Sequence, residues 1–271
     1  MVRPSVATTL VVALIAILGL MAVALTQRAR SQRQPAAKSA TTTQQLAAAP
    51  RLQPIANVAP APQPAAAPKP PSYSVLRVRP GRTVALLSKP GGKVLASVSG
   101  RTQFGSPTTL TVAAQKAGWV GVTSTDLPNG KLGWVKAKKG LVDERRTRLA
   151  VRIDLSSRKL RLMDGRRVLR SATIGIGRPG SPTPTGRFSI TDKLSGGAYG
   201  PYYGCCILAL SGHQTNTPSG WKGGDRLAIH GTNDPSSIGV PSSAGCLHAD
   251  AEDLKVLMRR VPLGTPVFIS G

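Results

Sequence analysis

The sequence predicts a mainly β protein, in which an apolar N-terminal segment and a Pro/Ala-rich linker lead into a small β-barrel and then a β-sandwich carrying one helix. Three observations predict it. Beyond residue 72 the apolar runs are short, rich in Val, Ile, Leu and Thr, and bounded by Gly, Pro, Asn or Ser. The prolines, 23 in all, crowd one stretch. A single segment, 250–260, shows helical spacing with a cap and a stop.

Composition bounds the function classes. At 271 residues, one or two compact domains fit. With 17% charged and 41% hydrophobic residues, a wholly disordered basic tail is excluded. Lys and Arg number 36 against 11 Asp and Glu, a net charge of +25. The first carboxylate is Asp126, so the preceding 125 residues hold 14 uncompensated basic side chains. Aromatics at 4% argue against nucleic-acid binding by base stacking, and the basic residues are dispersed over strands and linker. No specific nucleic-acid partner is expected.

Residues 5–26 are uncharged and mostly apolar. About 20 residues cross a bilayer core as a helix, so 1–26 reads as a transmembrane anchor, or as a signal peptide cleaved near Ala22-Val23-Ala24. Arg28, Arg30 and Arg33 follow it and Arg3 alone precedes it, which by the positive-inside rule would leave the long C-terminal part in the cytoplasm. Residues 27–71, as in AAAPRLQPIANVAPAPQPAAAPKPP, lack bulky apolar periodicity and read as an extended, disordered linker.

From 72 to 145 the strand-like runs SVLRVR, TVALLS, KVLASVS, LTVAAQ, WVGVTS and GWVKAK are punctuated by Pro90-Gly91-Gly92, Ser99-Gly100 and Pro128-Asn129-Gly130. Two Gly-Trp-Val strand ends around a tight turn resemble a bacterial SH3-like domain. Trp119 and Trp134 are expected to pack in its small core, with ligand stacking as the alternative reading. The polar run DERRTR separates this domain from the next.

From 146 to 271 the runs LAVRIDLS, KLRLMD, VLRSATIGIG, GRFSIT, CCILALSG, RLAIHG and PVFIS predict a second β domain, with a hairpin turn at Asp164-Gly165. Asp250 N-caps the helix, Asp253 sits at its N3 position, Leu254, Leu257 and Met258 form its apolar stripe, and Pro262 stops it. Cys205 and Cys206 read as adjacent strand residues facing opposite ways; a zinc site with His213 fits that geometry poorly, and a vicinal disulfide, being strained, is expected less still.

Of three histidines, His230 and His248 bracket Cys246. A thiol nucleophile needs a base, a group to orient that base, and backbone N–H donors for a developing oxyanion. The segment IHGTNDPSSIGVPSSAGCLHADAEDL offers all three types: His230 ends an apolar strand, and Cys246 sits on a Gly-containing turn four residues before the helix cap. A structural cysteine or a metal pair remains open at this level.

The run His230-Gly231-Thr232, followed by Ser243-Ala244-Gly245-Cys246, resembles the signature of the L,D-transpeptidase (YkuD-type) catalytic domain. LAVRIDLSSRKLRLMDGRRVLRSATIGIGRPGSPTPTGRFSI is similar to that family's N-terminal hairpins and its loop at Thr183-Pro184-Thr185-Gly186. The resemblance implies an L,D-transpeptidase-type β-sandwich over about 148–270, Cys246 as nucleophile and His230 as general base and later acid. It further implies Gly231 as the carbonyl orienting the imidazole, Gly245 in the oxyanion loop, and Ser243 shaping that loop. Substrate contacts are expected from Ser243, His248, Tyr203 and Trp221, with no cofactor and no metal. Where the family usually has His two residues before the nucleophile this chain has Ala244, and where it usually has Arg or Asn two residues after it has His248. His248 either replaces a cationic substrate contact when protonated, making binding pH-dependent, or is a solvated loop residue.

The implied reaction is acyl transfer from a peptidoglycan stem peptide through a cysteinyl thioester, forming 3→3 cross-links. An L,D-carboxypeptidase on the same site is the alternative, and a non-catalytic wall-binding protein the reading from another class. Such a substrate places the C-terminal part outside the cytoplasmic membrane, against the positive-inside reading. The expected partners are peptidoglycan stem peptides, anionic wall polymers attracted by the charge, and the membrane through the N-terminal segment.

Overall fold

The computed structural model describes residues 68–138 and 140–271. The N-terminal segment and all but the last four residues of the linker lie outside it; among the described residues no helix is long and apolar enough to cross a membrane. All described residues belong to a single structural unit.

The first sheet has seven antiparallel strands: β1 (Tyr73–Val78), β2 (Thr83–Leu87), β3 (Val94–Ser99), β4 (Thr109–Lys116), β5 (Trp119–Val122), β6 (Gly133–Val135) and β7 (Val142–Thr147). Their order is β3-β2-β6-β5-β4-β1-β7. Alternation builds its core, with Leu76 and Val78 from β1, Val84 and Leu86 from β2 and Val135 from β6 all buried. The same alternation corrects the expectation for the tryptophans. With Gly133 and Val135 facing inward, Trp134 faces the other way, and both it and Trp119 are half-buried outside the core cluster. The charged run read as a separator is itself strand β7, paired with β1 from Tyr73↔Thr147 to Val78↔Val142, and it runs through the expected junction at 145/146. An edge strand needs no apolar face, and charges on it discourage pairing with other chains.

The second sheet contains β8 (Leu149–Asp154), β9 (Lys159–Asp164), β10 (Arg167–Gly177), β11 (Gly186–Ser195), β12 (Cys206–His213), β13 (Arg226–His230), β14 (Pro241–Ser243), β15 (Leu247–Ala249) and β16 (Pro266–Ser270), in the order β14-β10-β15-β13-β12-β11-β16-β8-β9, with β9 also paired to β10. Two long strands change partners midway. The start of β10 pairs with β9 and its end with β15 and β14, while the start of β11 pairs with β16 and its end with β12. The strands thus form two faces of a sandwich around one core that includes Leu160, Leu162, Phe188, Ile190, Leu208, Leu210 and Ile229.

The helix α1 (Ala251–Arg260) forms where its signals stand. The Asp250 carboxylate accepts from the Glu252 N–H (2.8 Å), Asp253 pairs with Arg170, and Leu254 and Leu257 are buried against the sandwich. The short strand β15, invisible to periodicity at three residues, separates Cys246 from the helix cap.

Cys205 and Cys206 form a vicinal disulfide rather than diverging. Cys206 and His213 occupy opposite ends of β12, about 23 Å apart at ~3.3 Å per residue, which removes the zinc arrangement. His213 is engaged elsewhere: its ring bonds the Asp225 carboxylate (2.9 Å) and the Thr125 carbonyl (2.8 Å).

Hydrogen bonds stitch the two β units together. Arg187 donates to the carbonyls of Val112 (2.6 Å) and Ala113 (3.1 Å), and the Thr111 hydroxyl donates to the Gly264 carbonyl (2.6 Å). Asn129 exchanges two bonds with the backbone of His213 (2.7 and 2.8 Å).

Candidate active site

Strand register brings the two histidines together. β13 runs parallel to β15 with Ile229 opposite Leu247 and His230 opposite His248, so their rings meet at 4.8 Å between centroids. His230 is 0% exposed. Its Nδ1–H donates to the Gly231 carbonyl at 2.5 Å, and the Gly231 N–H is itself held by the Cys206 carbonyl (3.1 Å). That bond fixes the tautomer and leaves Nε2 as the lone-pair nitrogen. Nε2 is buried without a hydrogen-bond partner, which normally carries a free-energy cost. Tyr203 and Tyr202 wall the ring, at 4.9 and 5.4 Å between centroids.

Cys246, a free thiol, shares with His230 a cavity of about 200 Å³ that Tyr203 and Trp221 also line. The thiol donates to the Arg226 carbonyl across 3.8 Å. Gly231, Ser243, Gly245 and His248 do not line this cavity. The Ser243 hydroxyl donates to the Cys246 carbonyl (2.6 Å) and accepts from the Gly245 N–H (3.0 Å), closing the turn that presents the thiol. The Gly245 amide is therefore engaged inside the loop, which corrects the expectation of an oxyanion donor there. What Gly245 supplies is backbone shape, at φ +116°.

His248 is neither solvated nor in the cavity. It is 3% exposed, on β15. The Ser237 hydroxyl donates to the Asp234 carbonyl (2.6 Å), so it accepts from His248 Nδ1–H (2.9 Å), and His248 Nε2 accepts from the Tyr202 hydroxyl (3.4 Å). Burial lowers its pKa against the opposing Asp234 carboxylate, and its ring is taken up by Ser237 and Tyr202 rather than lining the thiol cavity.

Two further residues carry the loop. The Gln214 amide donates to the carbonyls of Pro182 and Ala244 (3.0 Å each), and its carbonyl accepts from the Asn216 N–H (2.9 Å). The Thr183 hydroxyl donates to the Gly245 carbonyl (2.9 Å) and accepts from the Gly177 N–H (2.8 Å). Thr183 lies in the quoted loop motif. Gln214, one polar residue past the end of an apolar strand, gives no sequence signal.

The electrostatics leave both reacting groups neutral. Desolvation, then the neighbouring His248, holds His230 down at about 4, although the Gly231 bond opposes the shift. Burial pushes the Cys246 thiol up to about 11. With the imidazole held low and the thiol pushed high, each stays neutral near pH 7, so a preformed thiolate–imidazolium pair is not the resting state. Alkylation of Cys246 by iodoacetamide should accordingly be slow at pH 7 and still climb about tenfold per pH unit between pH 9 and 10.5. Intact-mass kinetics measure this, and a plateau near neutrality would contradict the neutral pair.

Among the described residues no group of three or more His, Cys, Asp or Glu side chains converges as a metal site.

Comparison with known proteins bears on the same residues. The L,D-transpeptidase catalytic domain profile, YkuD, matches residues 148–269. The YkuD protein of Bacillus licheniformis is 34% identical over 122 residues, 44% of this chain and 64% of that protein. The YkuD protein of Bacillus subtilis strain 168 is 32% identical over 133 residues, 48% of this chain and 71% of that protein. Among solved structures, an L,D-transpeptidase from Mycobacterium smegmatis overlaps 60% of this chain and 82% of its own at 16% identity, with a TM-score of 0.39. The matched span contains His230, Gly231, Ser243, Gly245 and Cys246 in one ordered site, and on that span the chain belongs to the YkuD family of L,D-transpeptidase catalytic domains.

Proposed function

We propose that the chain is a peptidoglycan L,D-transpeptidase that forms 3→3 cross-links through a thioester on Cys246. One observation carries the reading: a buried imidazole, its Nδ1 held by the Gly231 carbonyl and its Nε2 unpartnered, in the same cavity as the one free cysteine among the described residues.

In the proposed sequence the thiol turns from the Arg226 carbonyl towards Nε2, which takes its proton as sulfur attacks the carbonyl carbon of the penultimate stem residue. The Cys246 N–H stabilises the resulting oxyanion. Collapse breaks the peptide bond, and imidazolium returns its proton to the departing D-Ala amine. An amine of a second stem then attacks the thioester, giving its proton to Nε2, and the thiol is restored. Because the resting pair is neutral, proton transfer accompanies attack rather than preceding it. Tyr203 and Trp221 contact the stem. The Gly231 carbonyl steadies the imidazolium, the role of a carboxylate in other triads.

The seven-stranded unit serves as an SH3-like accessory module, a reading supported by its Gly-Trp-Val strand ends. The enzyme works on the extracytoplasmic face, tethered by or secreted through the N-terminal segment. Its net charge of +25 favours retention by carboxylate-rich and other anionic wall polymers.

Incubating the full chain with disaccharide-tetrapeptides should yield 3→3 dimers and free D-Ala by mass spectrometry. Tripeptides without dimers would replace this reading with carboxypeptidase, and neither product would remove it.

A further inference from the structure

A second cavity, of about 660 Å³, lies between the two β units and takes its walls from both. Hydroxyls are the commonest groups in its lining: ten of 21 residues are Ser or Thr, joined by the Gln103 amide. Arg101 and Arg226 are set against Asp126 and Asp225, and both His213 ring nitrogens face acceptors, the Asp225 carboxylate and the Thr125 carbonyl. A single aromatic ring, Phe104, stands among them, with the Arg226 guanidinium 5.7 Å from its centroid.

The walls are preorganised. Asp192, 0% exposed, accepts a hydrogen bond from the Thr102 hydroxyl of the first unit and lies 3.8 Å from Arg226 of the second, so one buried carboxylate ties two lining residues across the junction. The paired bonds of Asn129 to His213 fix the same edge. A cavity whose hydroxyls are held before binding loses less freedom on binding.

The cavity adjoins the thiol site. Phe104, Gly223, Gly224, Asp225 and Arg226 line both, and the Arg226 carbonyl is the group that meets the Cys246 thiol. A ligand can therefore have one end at sulfur and another among the hydroxyls.

We propose that this cavity is a saccharide subsite, holding the sugar to which the acyl-donor stem peptide is attached. The proposal rests on the transpeptidase reading for the identity of that peptide. Dense hydroxyl and amide groups complement a polyhydroxylated ligand, and the two carboxylates on the wall, Asp126 and Asp225, favour a neutral sugar over a polyanion. The volume falls within the roughly 300–1,000 Å³ of small-molecule sites.

The test uses a variant remote from the thiol. Ser97 lies on the exposed face of β3 and lines only this cavity, so Ser97→Phe fills it without touching the catalytic wall. With wild type, KM for disaccharide-tetrapeptide should be at least fivefold below that for the free tetrapeptide. Ser97→Phe should erase that difference and leave turnover of the free peptide unchanged; Gln103→Ala should erase part of it. Equal KM values in wild type, or an unaltered difference in Ser97→Phe, would overturn the subsite. Calorimetric titration of the free disaccharide needs no turnover and decides the site separately. Binding that Ser97→Phe abolishes supports it, and no binding, or binding that Ser97→Phe leaves intact, refutes it. Binding of a polyol-phosphate polymer in place of the disaccharide, lost in Ser97→Phe, would also refute it. Failure of wild type to turn over either peptide would overturn the transpeptidase reading alone.

Discussion

Cys246→Ala should abolish both 3→3 dimers and tripeptide product, and intact-mass spectrometry with tetrapeptide stems should show no covalent adduct. The two phenols beside the thiol cannot take over. Burial, reinforced by the neighbouring Cys246, raises the Tyr202 and Tyr203 hydroxyls above the ordinary phenol range, so neither is a competent nucleophile. His230→Ala should cost about 10³- to 10⁴-fold, the upper end for a lost general base, because the thiol that must be deprotonated sits at about 11. The double variant should be no slower than Cys246→Ala, since base and nucleophile act as one unit. Residual dimer formation by Cys246→Ala would refute the assignment of the nucleophile.

Gly245→Ala should lower both stability and turnover. At φ +116° a side chain is strained, and an added Cβ would run into the Gln214 amide that pins the loop. Together these should destabilise the fold by roughly 2–4 kcal/mol, visible in thermal unfolding, and reduce turnover at least 100-fold by displacing the thiol. Adding Gln214→Ala should recover part of the stability, because the collision goes while the backbone strain remains. Strictly additive losses would show that Gln214 does not press on Gly245.

The elements legible from sequence are those whose signals are local. The helix 251–260 carries its cap, its stripe and its stop within a dozen residues, and the structure begins and ends it there. The hairpin at Gly165, with φ +60°, is equally local. Strand β7 was not legible, because VDERRT is stabilised by pairing with β1 across 64 to 74 positions of sequence and buries only Val142. His248 illustrates the same limit at the site. Its spacing from Cys246 was plain, but its burial depends on β15 sliding between β10 and β13, which three residues cannot announce. The ordered set His230, Gly231, Ser243, Gly245, Cys246 was readable as a set. That the Gly245 amide is used internally, and that Gln214 braces the turn from β12's far end, are consequences of tertiary packing.

The neutral thiol described above also bears on chemical durability. Peroxides and disulfides react with cysteine as its anion, so a nucleophile kept permanently ionised is consumed by any oxidising surroundings. A sulfur that keeps its proton, with the Arg226 carbonyl as its acceptor, is a poor reductant while the site is empty. Burial and protonation together therefore slow its oxidation relative to an exposed, ionised cysteine.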